Sequence, residues 1–302
     1  MRILITGSNG LLGQKLVAVL REDTSVDLLA TSRGEDRSPV PLTSHYRTMD
    51  ITDVDEVDAV FDAFHPEVVI HTAAMTNVDA CELDPAACRT QNVVATEHLV
   101  RAARRLGAHF IHLSTDFIFD GEDGPYREDD EAAPLSVYGQ SKLDAERIVI
   151  TSRLSRWAIA RTIIVYGVAE GLSRSNVVLW AKGALEKGQP IKVVDDQWRM
   201  PTLAEDLADG CIRIAKQGAT GIYHLSGPDG MSILELVERV GAFFQLDTSV
   251  VSAVKSDSLG QPARRPPRTG FILDKARTEL GYQPRGFEAG LEVLSQQLAA
   301  RE

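Results

Sequence analysis

Tyr138 and Lys142 stand four residues apart in the stretch VYGQSK, where a polar segment gives way to a helical pattern. Residues four apart on a helix share one face, so the phenol and the ammonium can approach each other. A free tyrosine has a pKa near ~10, and a nearby cation lowers it, which turns tyrosine into a proton-transfer group. A surface lysine beside a packing tyrosine gives the same spacing, so the pair predicts chemistry only together with other motifs.

A glycine-rich turn supplies a second motif. Gly7, Gly10 and Gly13 fall in TGSNGLLG, between a predicted strand and a predicted helix. Glycine permits a tight turn and lets a pyrophosphate approach the helix N-terminus. Gly13 lies inside the helix at a cost of about 1 kcal/mol relative to alanine, so we expect close helix–strand packing there. The order strand, turn, helix predicts dinucleotide binding.

The end of the second predicted strand bears on the choice of cofactor. An acidic residue there would bind a ribose 2′-hydroxyl, but Thr31, Ser32 and Arg33 occupy the position. Arg33 could instead meet a 2′-phosphate, which favours NADP(H) and leaves NAD(H) as an alternative. Asp50 and Ile51, after a further strand, are placed to flank an adenine.

Strand-like and helix-like segments alternate through the first half of the chain. Strands are predicted at residues 2–6, 26–31, 67–73, 109–115 and 156–162. Helices are predicted at 11–22, 56–64, 86–107 and around Tyr138. Continuous apolar strands separated by helices indicate an α/β fold with a doubly wound parallel sheet of the Rossmann type.

In the second half of the chain, strand-like and helix-like segments alternate less regularly. Helices are predicted at 176–188, 203–218 and 231–245, strands at 190–194 and near 249–254, and further helix over the last 30 or so residues. We expect a dinucleotide-binding domain at 1–166, to which the chain returns around 203–220, and a smaller C-terminal lobe, mainly for substrate, at 167–302.

Composition excludes several function classes. The chain has 302 residues, a net charge of −11, 44% hydrophobic and 25% charged residues, which is typical of a globular protein and argues against broad nucleic-acid binding. No apolar run reaches the ~18 residues of a membrane span, and no export signal is visible, so we expect a cytoplasmic protein. Cys81, Cys88 and Cys211 lack ligand spacing, which indicates reduced thiols and no metal site.

Several motifs together carry a family resemblance. The glycine turn, HTAA (71–74), LSTDFIFDG (113–121) and YGQSK resemble the extended short-chain dehydrogenase/reductase superfamily over nearly the whole chain. STDFIFDGEDGPYREDDEAAPLSVYGQSKLDAE, AAMTNVDACELDP (73–85), VDDQWRMPT (194–202) and RPPRT (265–269) are similar to the dTDP-4-dehydrorhamnose reductases.

The resemblance implies roles for individual residues. Thr115 would bind a substrate carbonyl, Tyr138 would protonate its oxygen, and Lys142 would tune Tyr138 and hold the nicotinamide ribose. The implied cofactor contacts are Gly7, Asn9, Gly10, Leu11, Leu12, Gly13, Ser32, Arg33, Asp50, Ile51, Ala73, Ala74, Thr76, Asn92, Tyr138 and Lys142. The implied contacts to a nucleotide-sugar substrate are Thr115, Asp116, Asn176, Gln197 and Arg265. His71 and His112, inside apolar strands, are interpreted as packed core residues.

Two departures from the family pattern affect the substrate. Arg199 replaces a customary glycine, so we expect it to add a phosphate contact or to narrow the sugar site. Phe117 supplies only a ring where an aromatic hydroxyl is common. It also stands where dehydratases carry a second acid, which argues against dehydration.

The leading hypothesis is therefore reduction of the 4-keto group of a deoxysugar nucleotide by NADPH. A nucleotide-sugar epimerase of the same superfamily is one alternative. A non-catalytic NADP-binding regulatory subunit, like that of methionine adenosyltransferase, is another. A homodimer is one option for the assembly.

Overall fold

The computed structural model describes residues 1–38, 41–42, 45–172 and 175–301. The strands are β1 (Arg2–Thr6), β2 (Asp27–Ser32), β3 (Tyr46–Thr48), β4 (Val68–His71), β5 (His109–Thr115), β6 (Trp157–Thr162), β7 (Val165–Tyr166), β8 (Ile191–Val194), β9 (Trp198–Arg199), β10 (Thr202–Leu203), β11 (Gly221–His224), β12 (Met231–Ser232) and β13 (Val251–Val254). The helices are α1 (Leu11–Leu20), α2 (Val54–Phe64), α3 (Val78–Leu83), α4 (Pro85–Arg89), α5 (Ala95–Leu106), α6 (Val137–Thr151), α7 (Val177–Glu186), α8 (Ala204–Gln217), α9 (Ile233–Phe244) and α10 (Phe287–Ala299).

The central sheet has seven parallel strands in the order β11-β6-β5-β4-β1-β2-β3. From β1 the chain builds outwards through β2 and β3, then restarts with β4 on the other side. Ligands of such sheets bind outside the carboxyl ends of the strands at this reversal, which here lies between β1 and β4. The predicted doubly wound α/β fold is confirmed. The edge strand β11 has no counterpart among the predicted strands, because four residues carry too short a pattern.

Helices cover both faces of this sheet. Leu16 of α1 and Leu207 of α8 belong to the core on one face, and Phe61 of α2 and Leu99 of α5 to the core on the other. Every residue of β4 and β5 is buried. This double coverage explains why those strands lack the regular apolar–polar alternation of a strand with one exposed face.

The helix predicted over 86–107 forms with one irregularity. Between α4 and α5 the chain makes a π-helical turn at Thr90–Val94, and α5 ends at Gly107 with a positive φ of 68°. Glycine adopts this left-handed conformation without strain, as the sequence predicts. The π turn places Asn92 against the loop after β4, as described below.

The second half of the chain contributes both to the central sheet and to a separate apolar core. α8 packs on the central sheet and β11 extends it, while α7, α9 and α10 build a separate apolar core with β8 and β12. The helix expected over the last 30 or so residues forms in two pieces, because Gly281 has a φ of 66° and residues 281–286 separate a π turn from α10. The division into 1–166 and 167–302 stays a prediction.

Candidate active site

One cleft of about 610 Å³ gathers most of the predicted site residues at the sheet's carboxyl edge. The predicted residues that line it are Gly7, Gly10, Leu11, Leu12, Gly13, Ser32, Arg33, Ile51, Ala73, Ala74, Thr76, Thr115, Asp116, Tyr138 and Lys142. The predicted residues outside its lining are Asn9, Asp50, Asn92, Asn176, Gln197 and Arg265. The cleft lies at the reversal of strand order, where doubly wound folds bind ligands.

The glycine turn forms one wall of the cleft. Gly7 has a φ of 75°, and a Cβ there would lie 2.6 Å from the backbone nitrogen of Ala73. A Cβ at Gly13 would lie 2.3 Å from the carbonyl oxygen of Gly7, which accounts for glycine inside α1 through close packing on the turn itself. α1 begins after Gly10 without a side-chain cap. Its first N–H groups are therefore available to an anion.

The end of β2 presents a cation and no acid to the cleft. Ser32 and Arg33 line the cavity, and Arg33 is exposed. Thr31 is buried and donates its hydroxyl proton to the carbonyl oxygen of Ile5 at 3.0 Å. This arrangement is the one expected for a site that favours a ribose phosphate over a free ribose hydroxyl.

Thr115, Tyr138 and Lys142 line the same cleft. Thr115 ends β5, and α6 begins after Ser136, whose hydroxyl accepts a hydrogen bond from the Gly139 N–H. Lys142 donates to the carbonyl oxygen of Leu113 at 2.6 Å. The helical spacing thus brings both side chains to the end of β5, as predicted.

The electrostatics of this trio differ from the expectation. Burial raises the pKa of Tyr138, and a hydrogen bond with Thr115 opposes that rise only in part. The expected lowering of the Tyr138 pKa by Lys142 is therefore not found: burial is the largest influence on this pKa and raises it, and Thr115, not Lys142, opposes that rise. Burial also lowers the pKa of Lys142 to about 8.

His112 and Gly139 lie beside the proposed site residues, a position that the sequence did not predict for either. His112 is buried, as expected, but its Nε2 also lies 3.2 Å from the Lys142 Nζ. A Cβ at Gly139 would lie 2.2 Å from the carbonyl oxygen of Phe117, so only glycine lets α6 approach the end of β5 this closely. In the sequence, a glycine directly after Tyr138 at the start of the predicted helix indicated this close approach.

Asp116 and Arg199 form a buried ion pair behind the cleft. The Arg199 Nε lies 3.7 Å from Asp116 Oδ2, and the two side chains are 1% and 2% exposed. Arg199 also donates to the carbonyl oxygens of Trp198 and Pro266, each at 2.7 Å. Its guanidinium hydrogen-bonds these internal partners and Arg199 is not among the residues that line the cleft, so a phosphate contact or a narrowing of the sugar site by Arg199 stays a prediction.

Phe117 lines the cleft and lies between Arg199 and Tyr138, with its ring in contact with both. The Arg199 guanidinium lies 5.7 Å from the centre of the Phe117 ring. The same ring meets Tyr138 edge-on at 5.8 Å. Phe117 therefore offers packing where a hydroxyl is more usual.

Three predicted cofactor contacts support loops beside the cleft. Asn9 accepts from the Arg37 N–H at 2.9 Å and donates to the Glu35 carbonyl at 2.8 Å. Asp50 accepts from the N–H and hydroxyl of Thr52. Asn92 accepts from the N–H of Met75 at 2.7 Å and thereby fixes the loop after β4. Their direct contact with a cofactor stays a prediction.

Three predicted substrate contacts also have partners within the protein. Asn176 caps α7 by accepting from the Leu179 N–H at 3.1 Å. Gln197 donates to the Ser256 hydroxyl at 2.8 Å. Arg265 pairs with Asp79 at 2.7 Å. Substrate binding by these residues stays a prediction.

Two kinds of feature, a metal-binding cluster and a membrane-spanning helix, are absent from the described residues. Within the described ranges, no group of three or more His, Cys, Asp or Glu side chains is arranged to hold a metal ion. In that part of the chain no helix has the length and apolar character to cross a bilayer. Cys81, Cys88 and Cys211 are buried free thiols.

Comparisons with known proteins match this chain over most of its length. The model of the RmlD substrate binding domain family matches residues 1–300. The chain is 32% identical to methionine adenosyltransferase 2 subunit beta of Xenopus laevis over 269 residues, which are 87% of this chain and 78% of the relative. It is 32% identical to the dTDP-4-dehydrorhamnose reductase of Aggregatibacter actinomycetemcomitans over 303 residues, with coverage of 96% and 97%.

A solved structure is similar over its full length. The dTDP-4-dehydrorhamnose reductase of Bacillus anthracis str. Ames, crystallised in complex with NADP, superposes with a TM-score of 0.81 at 25% identity. The alignment covers 98% of this chain and 99% of that chain.

Proposed function

The chain belongs to the RmlD substrate binding domain family within the extended short-chain dehydrogenases/reductases, and from that premise we propose that it reduces the 4-keto group of a deoxysugar nucleotide with NADPH, as in dTDP-rhamnose formation. The resemblance inferred from the motifs is thereby confirmed at the level of the family. One observation carries the proposal: Thr115, Tyr138 and Lys142 line the same cleft as an uncapped, glycine-rich helix start.

The residues of the cleft fit a nicotinamide dinucleotide. The first turn of α1 would hold the pyrophosphate, and Ala73, Ala74 and Thr76 would follow the ribose along the loop after β4. Arg33 would bind a 2′-phosphate, so NADP(H) is the preferred form. The similar reductase that binds NADP supports this choice.

Protonation of the substrate falls to Tyr138. When bound, the nicotinamide supplies the hydride that the keto carbon receives. Because burial raises its pKa, Tyr138 stays a neutral phenol at neutral pH and can donate its proton to the oxygen.

Hydrogen bonds fix Lys142 in the site, where its positive charge would act on Tyr138. Two of its three donor directions point to Leu113 and His112, which leaves the third for the phenol or for the cofactor ribose. Its positive charge would stabilise the phenolate that remains after Tyr138 has given up its proton.

The substrate is proposed to be a nucleotide sugar. Asp116 lines the cleft next to Thr115, and because its two oxygens already accept hydrogen bonds from Thr115 and Thr269, it would bind a sugar hydroxyl group only through its remaining lone pairs. Arg265, Gln197 and Asn176 would contribute only after exchanging partners within the protein. The cytoplasmic location and the homodimer remain predictions.

A regulatory, non-catalytic subunit is the second candidate. It is favoured by the 32% identity to methionine adenosyltransferase 2 subunit beta over 269 residues. A binding module of that kind needs the cleft but has no need of a proton donor at Tyr138.

One assay separates the two candidates. The purified protein is mixed with NADPH and a panel of 4-keto-6-deoxy sugar nucleotides, and nicotinamide absorbance and sugar products are followed. A reductase consumes NADPH with at least one member, and Tyr138→Phe reduces that turnover by about 10²–10⁴-fold with unchanged NADPH affinity. NADPH binding without turnover of any member supports the regulatory subunit, and sugar isomerisation without net NADPH oxidation supports the epimerase.

A further inference from the structure

Lys142 carries its charge inside the protein, where few groups can solvate an ammonium. The side chain is 4% exposed, and burial lowers its pKa to about 8. At pH 7 it is therefore still mostly an ammonium, which has three N–H donors and no acceptor. A buried charge is unfavourable unless its donors are hydrogen-bonded, so each acceptor around the Nζ atom helps to decide whether the charge persists.

Two acceptors lie within reach of the Lys142 Nζ atom. Nζ donates to the carbonyl oxygen of Leu113 at 2.6 Å, and the Nε2 atom of His112 lies 3.2 Å away. Both acceptors belong to β5, whereas Lys142 belongs to α6. The Leu113 carbonyl is a backbone group that every residue would supply. His112 therefore provides the acceptor that depends on a side chain.

The contact with Lys142 determines the tautomer of His112. Burial, the charge of Lys142 and the neighbouring His71 hold the pKa of His112 well below its ordinary value, so the ring is neutral at pH 7. A neutral imidazole has one N–H donor and one accepting lone pair. Because the ammonium can only donate, Nε2 must carry the lone pair, and the ring proton stands on Nδ1.

The other nitrogen of the His112 ring has no such contact. Nδ1 is buried and lacks a hydrogen-bond partner among the described residues. His71 lies beside it on β4, with ring centres 5.3 Å apart, and has the hydroxyls of Thr6 at 2.7 Å and Thr96 at 3.3 Å. His71 is thus satisfied at both nitrogens within the core, whereas the polar contact that the structure gives the His112 ring is with Lys142.

Two other titratable groups favour the charge of Lys142. Glu146, one turn further along α6, and Cys88 of α4 both raise the Lys142 pKa against the effect of burial. Glu146 is itself bound by Arg161 of β6 through hydrogen bonds at 3.0 and 2.8 Å, so its carboxylate acts only from a distance. We propose that His112 is a positioning residue that accepts a hydrogen bond from Lys142 through Nε2 and thereby keeps the ammonium charged and in place at the proposed reaction centre.

The tautomer is tested on the wild-type protein without substrate. The protein is labelled with a heavy nitrogen isotope in histidine and examined by NMR at pH 7, where the chemical shift of each ring nitrogen shows whether it is protonated. The His112 signals are assigned through bonds from the backbone, so this test needs no variant. The expected result is a proton on Nδ1 and a lone pair on Nε2. A proton on Nε2 overturns the inference.

Protein unfolding tests the charge coupling with two variants that both lack the imidazole. His112→Leu removes the acceptor, whereas His112→Gln places an amide oxygen near the former Nε2 position. Without an acceptor, the pKa of Lys142 in the folded protein falls further below that in the unfolded chain. The Leu variant then stays neutral at a pH where its unfolded chain is charged. It should therefore lose Tm relative to the Gln variant as pH falls from 9 to 6.

A Tm difference between these variants that is constant from pH 9 to 6 overturns the inference. The control repeats the comparison in a Lys142→Met background, where no amine titrates and the difference should not vary with pH. A variation that persists in that background contradicts the coupling. If the variants do not fold, the tautomer measured in the wild type decides.

Activity tests the positioning role and rests on the proposed reductase function. In the wild type, kcat/KM should fall above about pH 8, where Lys142 loses its proton. In His112→Leu this fall should begin about one to two pH units lower, the effect of one lost hydrogen bond to a charged group. His112→Gln should restore it towards the wild-type pH. A fall at the same pH in all three proteins contradicts the positioning role.

His71→Leu is the matched control. It also removes a buried, neutral histidine, but one whose nitrogens contact Thr6 and Thr96 instead of Lys142. Tm should fall while the pH at which kcat/KM declines stays unchanged, and a shift like that of His112→Leu would overturn the specificity of the inference. Absence of turnover in the wild type counts against the proposed function, whereas the tautomer and the unfolding results still decide the hydrogen bond.

Discussion

Gly139→Ala tests whether close approach of α6 to the end of β5 positions Tyr138, the proposed proton donor. The added Cβ would lie 2.2 Å from the Phe117 carbonyl oxygen and 3.1 Å from the Pro134 Cβ, short of an ordinary contact of 3.4 Å. The obstacle is backbone on one side, so α6 or the Asp116–Ile118 turn must shift by roughly 1 Å. A shift of that size costs about 10²-fold in rate when it misplaces a reacting group.

Stability should fall as well. Overpacking costs about 1–3 kcal/mol, which exceeds the ~1 kcal/mol that alanine gains over glycine inside a helix. The assay compares kcat, KM for the keto sugar nucleotide and Tm with those of the wild type. We expect kcat to fall most, because Tyr138 moves relative to Thr115 while the glycine turn is untouched.

Gly183→Ala is the matched control. Gly183 also lies inside a helix, α7, but a Cβ there meets nothing within 4 Å. That change should raise Tm slightly and leave kcat unchanged. If Gly139→Ala also raised Tm and kept the wild-type kcat, the argument that α6 is held in place by this contact would be refuted.

Three further predictions concern charge. Burial lowers the pKa of Lys142 to about 8, so kcat/KM should fall above that pH as the ammonium is lost, and a profile flat to pH ~10, near the pKa of free lysine, would contradict this. Arg33→Ala should weaken NADPH binding more than NADH binding in calorimetric titrations, and equal losses would show that Arg33 does not meet a 2′-phosphate. Burial lowers the pKa of His71 to about 3 and of His109 to about 4. The unfolded chain therefore takes up protons below pH ~6.5 that the native state refuses, so each of these histidines costs about 1.4 kcal/mol per pH unit as pH falls. Urea unfolding at pH 7 and 5 measures this loss, and His109→Gln should reduce it.

Much of the fold was accessible from the sequence because its signals are local. Strands β4 (VVIH) and β5 (HFIHLST) are buried over their whole length and lack a regular apolar–polar alternation, and Gly107 follows α5 in a left-handed conformation. The glycine turn is recognisable from the spacing of Gly7 and Gly13 and from its position between a strand and a helix. These features depend on residues near each other in the chain, so pattern alone predicts them.

The sequence predicts most of the residues that line the cleft but not their electrostatics. Tyr138 and Lys142 share a helical face, as the spacing requires, yet the pKa of Tyr138 follows from burial by distant segments. From the sequence, Arg199 is expected to face the substrate pocket. In the structure it is instead enclosed by residues 266–267 and by Asp116. Such partners come from remote parts of the chain, and no local pattern specifies them.

The most direct test of the account follows the hydride and the proton together. The protein is incubated with NADPH deuterated at the transferred position and a 4-keto-6-deoxy sugar nucleotide, and the product sugar is examined by mass spectrometry. The account predicts one deuterium at carbon 4 of the sugar, with transfer slowed by about 10²–10⁴-fold in Tyr138→Phe. Product without deuterium, or transfer at an undiminished rate in Tyr138→Phe, would contradict it.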